Sequence, residues 1–348
     1  MTATATVARF DFWYDAAMDA RFARETGIAL RTIALAGPEQ AAWDTLGAAR
    51  GYIISAARDE LPRRFWGTEA LLARCPNLLC IASVGVGFDT VDVAACTRAG
   101  VLVMNQAGGN AQAVAEHTLG LMLDLAKRIS ESDRTLRAAR GFSRESLMGT
   151  EIGGKTLGLV GIGNIGRRVA RYAAAFGMRV LACDPLLTAA EIATRGAEPV
   201  DLDTLLAQAE YVSLHCPRNA DTLGMIGAAQ FARMRKGAVF ISTARGGIHD
   251  EAALGAALAS GHLGGAGLDV WDVEPPPLDS ALLAMPNVVA TFHTAGVTRE
   301  ARRNVAASAA EQVIQVLKGE RPPHLVNPEA WEGYVGRFGR GWEAVAAS

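Results

Sequence analysis

An α/β protein of two doubly wound parallel-sheet domains, with a cleft between them, is predicted by three features of the sequence. Short apolar runs alternate with stretches of helical character, which implies parallel sheets with right-handed crossovers. A glycine triplet, Gly161, Gly163 and Gly166, sits between one such run and an amphipathic stretch in the middle of the chain. At 348 residues the chain is long enough for two domains with cores of their own. The domain holding the glycines is expected to be Rossmann-like and the other flavodoxin-like, with the ligand in the cleft.

In the first hundred or so residues, apolar runs at 7–12, 28–33, 52–54, 78–82 and 101–104 read as strands. Between them, 16–25, 39–49, 68–74 and 91–98 read as helices. Gly108-Gly109-Asn110 breaks the pattern, and a long helix starts at Ala111. Its apolar residues fall on nearly every face, which predicts a sandwiched helix, with another subunit as a candidate cover. Glu116, His117, Asp124, Lys127 and Arg128 in this stretch argue against a membrane span. The polar, Arg-rich stretch 130–154 leads into the glycine turn.

From Lys155 the alternation resumes: a strand at 156–160, the turn, a helix to Phe176, then a strand at 179–183 closed by Asp184. Runs at 211–214, 238–241, 265–268 and 288–292, with helices such as 251–260 between, bring this region to at least six strands. After His293, 299–318 reads as a helix and the tail to Ser348 as mostly loop.

A formal net charge of −2 and the absence of long basic runs argue against nucleic acid as the main partner. The five cysteines are odd in number and form no C-x-x-C, so they read as small buried residues of a reducing compartment. The N-terminal stretch lacks the build of a secretion signal, and a cytoplasmic location is expected. No grouping has metal-ligand spacing, so no metal is expected.

Gly161, Gly163 and Gly166 form G-x-G-x-x-G. The first glycine permits a tight turn, the second close approach to a pyrophosphate, the third close packing of helix on strand, and the helix start offers N–H groups to the phosphates. Asp184, at the end of the next strand, can bond a ribose 2′-hydroxyl and would repel a 2′-phosphate, so NAD is expected over NADP. Ligands in such sheets sit beyond the carboxyl ends of the strands. There the sequence places His215-Cys216-Pro217, the run from Ser242 through Arg245 to Gly247, Asp269 with Glu274 close behind, and His293. An arginine that grips a carboxylate, a histidine that donates a proton and a carboxylate that favours imidazolium form a working set for reducing a 2-oxo acid.

Several ordered motifs then carry a family resemblance: SVGVGFDTVD at 83–92, NQAGGNAQAVAEHTLGLML at 105–123, GLVGIGNIG at 158–166, LHCPRNADTLGMI at 214–226, STARGGIHDE at 242–251, GAGLDVWDVEP at 265–275 and FHTAGVTRE at 292–300. Over nearly its whole length the chain resembles the D-isomer-specific 2-hydroxyacid dehydrogenases. The resemblance implies an NAD-dependent enzyme that interconverts a small D-2-hydroxy acid and its 2-oxo acid. His293 would be the acid–base, Glu274 its partner and Arg245 the substrate anchor, with Val86 and Gly87 offering backbone N–H groups to the substrate carboxylate. Cofactor contacts implied are Asn164 and Ile165 at the pyrophosphate, Asp184 at the ribose, and His215, Cys216, Pro217 and Thr222 around the adenosine. On the nicotinamide side they are Thr243, Ala244, Arg245, Asp269, His293 and Gly296, with Thr118 a further candidate. The resemblance also implies a homodimer and a discontinuous substrate-binding domain, 1–108 plus 297–348, around an NAD-binding domain at 109–296.

Glu116 is expected to hold glycine-loop backbone, His249 and His262 to be surface or capping residues, His117 to pack, and His324 to belong to the tail. Phe292 and Ala107 stand where relatives commonly have proline. Ala56 stands where phosphoglycerate-type relatives often carry an arginine, though Arg58 is near, so glyoxylate or hydroxypyruvate is favoured over a phosphorylated substrate. The alternatives are a D-3-phosphoglycerate dehydrogenase and a non-catalytic NAD sensor like the C-terminal-binding-protein corepressors.

Overall fold

The computed structural model describes residues 4–346, with side chains described to residue 339. The loop expected at 347–348 and the first three residues of the N-terminal stretch lie outside the described residues. The chain divides into two compact units, Met1–Asn110 with Thr298–Ser348, and Ala111–Val297.

In the first unit five parallel strands, β1 (Ala5–Phe10), β2 (Ile28–Ile33), β3 (Ala49–Ile54), β4 (Cys80–Ser83) and β5 (Leu102–Met104), lie in the order β2-β1-β3-β4-β5. This is the flavodoxin-like order, with its reversal at β1/β3. β1, β3, β4 and β5 are buried on both faces, which is why they read as continuous apolar runs. One face is covered by the helix Arg299–Leu317, which buries Ala306, Ala309 and Val313. The other carries an aromatic cluster of Phe10, Trp43, Tyr52 and Phe65.

The tail is not loop: Trp331–Ala346 is a helix. Glycines at 333, 336, 339 and 341 conceal it, since each costs a helix about 1 kcal/mol relative to alanine. Packing reverses that preference. Tyr334 is buried and donates to the Val316 carbonyl at 2.5 Å, and a Cβ on Gly333 would come within 3.1 Å of Gly100 Cα.

The second unit is a seven-stranded parallel sheet of β6 (Thr156–Val160), β7 (Arg179–Cys183), β8 (Glu198–Pro199), β9 (Tyr211–Leu214), β10 (Val239–Ser242), β11 (Gly265–Leu268) and β12 (Val288–Ala290). Its order, β12-β11-β10-β9-β6-β7-β8, is the Rossmann order with a seventh strand added, and it reverses between β6 and β9. β8 escapes a pattern search because it is two exposed residues long, with a proline suited to an edge. β12 ends at Ala290, so Thr291 and Phe292 belong to the loop after it. The helix Ala111–Lys127 packs on β10 and β11 and against the helix Gly166–Ala175. In the polar stretch, Ile129–Ala138 forms a helix that buries no residue and carries the ion pairs Arg128–Glu131 and Arg137–Asp133. All five cysteines are free, and among the described residues no helix is long and apolar enough to cross a membrane.

His249 corrects an expectation: it is not at the surface but 1% exposed, against the Phe240 ring, with no hydrogen-bond partner for either ring nitrogen among the described residues. Burial pushes its pKa down to about 4. The unfolded chain therefore takes up this proton near pH 6.5 and the folded chain only near 4, so stability present above pH 6.5 is lost as pH falls towards 4. Urea unfolding is expected to show His249→Phe losing about 2 kcal/mol less than the parent between pH 7 and pH 5. Equal losses in both would contradict this assignment.

Candidate active site

The glycine turn is built as its spacing requires. Gly161 has φ +92°, and a Cβ there would lie 2.9 Å from the His215 carbonyl carbon. A Cβ on Gly166 would lie 2.4 Å from the Gly161 oxygen, so this glycine lets the helix start press on the turn. A Cβ on Gly163 would meet nothing within 4 Å, which leaves open space at the position where a pyrophosphate approaches the backbone. Asn164 and Ile165 lead from it into the helix Gly166–Ala175; the Arg167 and Arg168 N–H groups bond back to the Gly163 and Ile165 carbonyls, and the N–H groups of Asn164, Ile165 and Gly166 have no partner among the described residues. The Asn164 side chain accepts from Arg167 at 2.9 Å. Asp184 ties the turn to the end of β7: Oδ2 accepts from Ile162 N–H at 3.0 Å and Oδ1 from Leu186 N–H at 3.1 Å. A carboxylate has about four acceptor sites, so two remain for a ribose. These residues fit a dinucleotide.

Beyond β9, His215 shares a hydrogen bond of 2.9 Å between Nε2 and Ser213 Oγ, and its Nδ1 is enclosed. Burial holds its pKa down to about 3, so it is a neutral wall and not an acid. Cys216 is half-buried, and burial pushes its thiol up to about 11. Thr222 Oγ1 donates to the Pro217 carbonyl at 2.6 Å and closes this loop on the exposed side.

Beyond β10, Thr243 and Ala244 are buried. Thr118 lies fully buried behind Thr243: the two hydroxyls are 3.1 Å apart, and Thr118 Oγ1 also donates to the Val114 carbonyl at 2.8 Å. The Arg245 guanidinium donates to the Ala244 carbonyl at 2.7 Å.

His293 Nδ1 and Glu274 Oε2 are 2.8 Å apart, and Glu274 Oε1 accepts from Trp271 N–H at 3.1 Å. Burial pulls the Glu274 carboxyl upward, but the His293 hydrogen bond and charge, the Trp271 N–H and the Arg245 guanidinium outweigh it and hold the group below the usual range. With Nδ1 committed to Glu274, Nε2 is the nitrogen left to face a substrate. His293 adopts φ +47°, a left-handed conformation that a non-glycine residue holds only when its surroundings enforce it.

Asp269 enforces it. Its carbonyl accepts from His293 N–H at 2.7 Å. Its buried carboxylate takes Thr291 Oγ1 at 2.6 Å and Thr294 N–H at 2.8 Å on Oδ1, and Ala295 N–H at 2.9 Å on Oδ2. Asp269 thus anchors the loop from Thr291 to the half-buried Gly296, with about one acceptor site left on Oδ2. The sequence alone does not mark Thr291 or His117 as site residues, yet His117 Nε2 lies 3.0 Å from Thr291 Oγ1 in the same network. Glu116, by contrast, is exposed and accepts from Gln112 one turn earlier at 2.5 Å, and so does not hold a glycine loop. The second unit therefore gathers Glu274, His293 and Asp269 with the charge of Arg245. Val86 and Gly87 belong to the first unit, in the loop after β4. Among the described residues no cluster of metal-ligating side chains occurs.

Residues 119–295 match the model of the D-isomer specific 2-hydroxyacid dehydrogenase NAD binding domain, and NAD is the cofactor this domain takes. The chain is 40% identical over 283 residues to a D-3-phosphoglycerate dehydrogenase from Archaeoglobus fulgidus, covering 78% of this chain and 54% of that one. It is 39% identical to a glyoxylate reductase from Korarchaeum cryptofilum, covering 73% of this chain and 77% of that one. The chain thus spans about half the length of the phosphoglycerate dehydrogenase relative. Among solved structures, a glyoxylate reductase from Paecilomyes thermophila matches with a TM-score of 0.82 at 27% identity, covering 94% of this chain and 99% of that one.

Proposed function

The chain belongs to the D-isomer specific 2-hydroxyacid dehydrogenase family, and on that premise we propose that it interconverts a small D-2-hydroxy acid and its 2-oxo acid, with glyoxylate or hydroxypyruvate as the favoured oxo acid. The observation that carries the proposal is the His293–Glu274 pair at 2.8 Å, held at the carboxyl edge of the sheet that carries the glycine turn.

The glycine turn and Asp184 would hold the dinucleotide, and NADH bound there would supply the hydride that C2 of the oxo acid needs. His293 Nε2 gives a proton to the ketone oxygen as it becomes an alkoxide, so the product is the neutral alcohol. Glu274 keeps the ring oriented through Nδ1 and balances the imidazolium before the transfer. Arg245 grips the substrate carboxylate and polarises the ketone. In the first unit, the Val86 and Gly87 N–H groups are the proposed donors to the substrate carboxylate, and substrate binding is the role proposed for that unit. In the oxidative direction neutral His293 is the base.

Phosphohydroxypyruvate is the second substrate reading, favoured by the phosphoglycerate dehydrogenase relatives. Against it, Ala56 offers no charge and the Arg58 guanidinium lies 3.7 Å from Asp89. A homodimer belongs to the same proposal, supported by apolar side chains left exposed at Ile129, Leu136 and Met148. The five free cysteines fit a cytoplasmic location. A panel of glyoxylate, hydroxypyruvate, pyruvate and phosphohydroxypyruvate assayed with NADH and NADPH tests the proposal. NADH-dependent turnover of glyoxylate or hydroxypyruvate is expected, and no turnover of any member would overturn it.

A further inference from the structure

In the first unit, the loop after β4 has its peptide planes set by hydrogen bonds from the end of β5. The Gly85 carbonyl accepts from Gln106 N–H at 2.8 Å, and the Val86 carbonyl accepts from Asn105 Nδ2 at 2.8 Å. In a trans peptide the C=O and the next N–H point in opposite directions. Holding the Gly85 carbonyl towards residue 106 therefore turns the Val86 N–H away from it, and holding the Val86 carbonyl towards Asn105 turns the Gly87 N–H away likewise. Neither N–H has a partner among the described residues. Two successive N–H groups turned to one side form the kind of concavity that receives a carboxylate.

The clamp is itself braced. Buried Gln312, on the helix Arg299–Leu317, donates to the Asn105 carbonyl at 2.9 Å and to Gln106 Oε1 at 2.8 Å, and accepts from His324 N–H at 3.0 Å. Gln106 Nε2 in turn donates to the Ser83 carbonyl at 3.1 Å. One of the two loop clamps is a main-chain bond, which a side-chain truncation leaves in place. The other is the Asn105 side chain.

We infer that Asn105 is a positioning residue for substrate: by holding the Val86 carbonyl it aims the Gly87 N–H at the carboxylate of the 2-oxo acid. This rests on the proposed function and adds the residue that prepares its carboxylate site. Ser83 supplies the control, because its hydroxyl donates to the Gly87 carbonyl at 2.5 Å and so sets only the next peptide, whose N–H belongs to Phe88.

The test uses the full chain saturated with NADH and titrated with oxamate, a monocarboxylate analogue of a 2-oxo acid, read by NADH fluorescence. Glyoxylate and hydroxypyruvate kinetics run alongside. Asn105→Ala is expected to raise the oxamate Kd and the oxo-acid KM about tenfold, the effect of mis-aiming one hydrogen bond to a charged group, with kcat and NADH affinity unchanged. Ser83→Ala removes a hydrogen bond from the same loop and is expected to leave both within about twofold of the parent, because the Val86 and Gly87 N–H groups keep their clamps. Equal rises in the two variants would mean that the loop is merely loosened, and would overturn the inference, as would an Asn105→Ala protein that binds oxamate normally. Should Asn105→Ala fail to fold, Asn105→Gln carries the same expectation, since its amide is displaced by one methylene. A parent protein that neither binds oxamate nor reduces any oxo acid would overturn the functional reading, and this inference with it.

Discussion

His293→Asn is expected to lower kcat for oxo-acid reduction by about 10²- to 10⁴-fold, the range a positioned proton donor supplies, with NADH affinity retained. Asparagine keeps the polarity and approximate size of the side chain, and the main-chain bond to Asp269 survives because it uses the His293 N–H. The loss would therefore report on the proton and not on the loop. Stopped-flow reduction and NADH fluorescence titration separate the two, and a variant with undiminished kcat would remove His293 from the chemistry. Glu274→Gln should be milder. The Glu274 carboxyl is held below its usual range by His293, the Trp271 N–H and Arg245 against the pull of burial, so it stays ionised throughout the neutral range. Removing that charge leaves the ring oriented but no longer balanced by a carboxylate, so kcat for reduction should fall while NADH affinity is retained.

Arg245→Lys is expected to cost about 10- to 100-fold in kcat/KM for the oxo acid, although the charge is preserved. A lysine cannot present two parallel donors to a carboxylate, and losing one charge-assisted hydrogen bond is worth roughly 1.5–3 kcal/mol. Arg245 follows β10 directly after Thr243 and Ala244, both buried, which fixes where its side chain starts. Steady-state kinetics on a carboxylate substrate check this. A lysine variant with parental kcat/KM would show that Arg245 acts as a diffuse charge or not at all.

The parts of the fold legible in the sequence are those where one cause dominates. Parallel strands buried on both faces, such as β6, β7 and β9, read directly as apolar runs, and the G-x-G-x-x-G glycines each meet a steric demand that alanine would violate or a space that a ligand needs. The misses occur where tertiary packing overrides local preference. Trp331–Ala346 is helical despite its glycines because Tyr334 and the Gly333–Gly100 approach seat it. His249 is buried because the chain pairs Ile226 with it beside Phe240, and nothing in its local sequence announces that. At the site, His293 and Glu274 were readable from strand ends and from motif order. The loop anchor of Asp269, Thr291 and His117 was not, since it joins residues from a helix, from the end of β11 and from the loop after β12. Asn105 was hidden for the same reason: its role is a direction imposed on a neighbouring peptide, which spacing does not encode.

The most direct measurement is the fate of the hydride. Incubating the protein with hydroxypyruvate and NADH carrying two deuteriums at nicotinamide C4, then analysing the product by chiral chromatography and mass spectrometry, is expected to give D-glycerate carrying deuterium at C2. Glycerate of the L configuration, unlabelled product, or no product from any oxo acid of the panel would contradict the account.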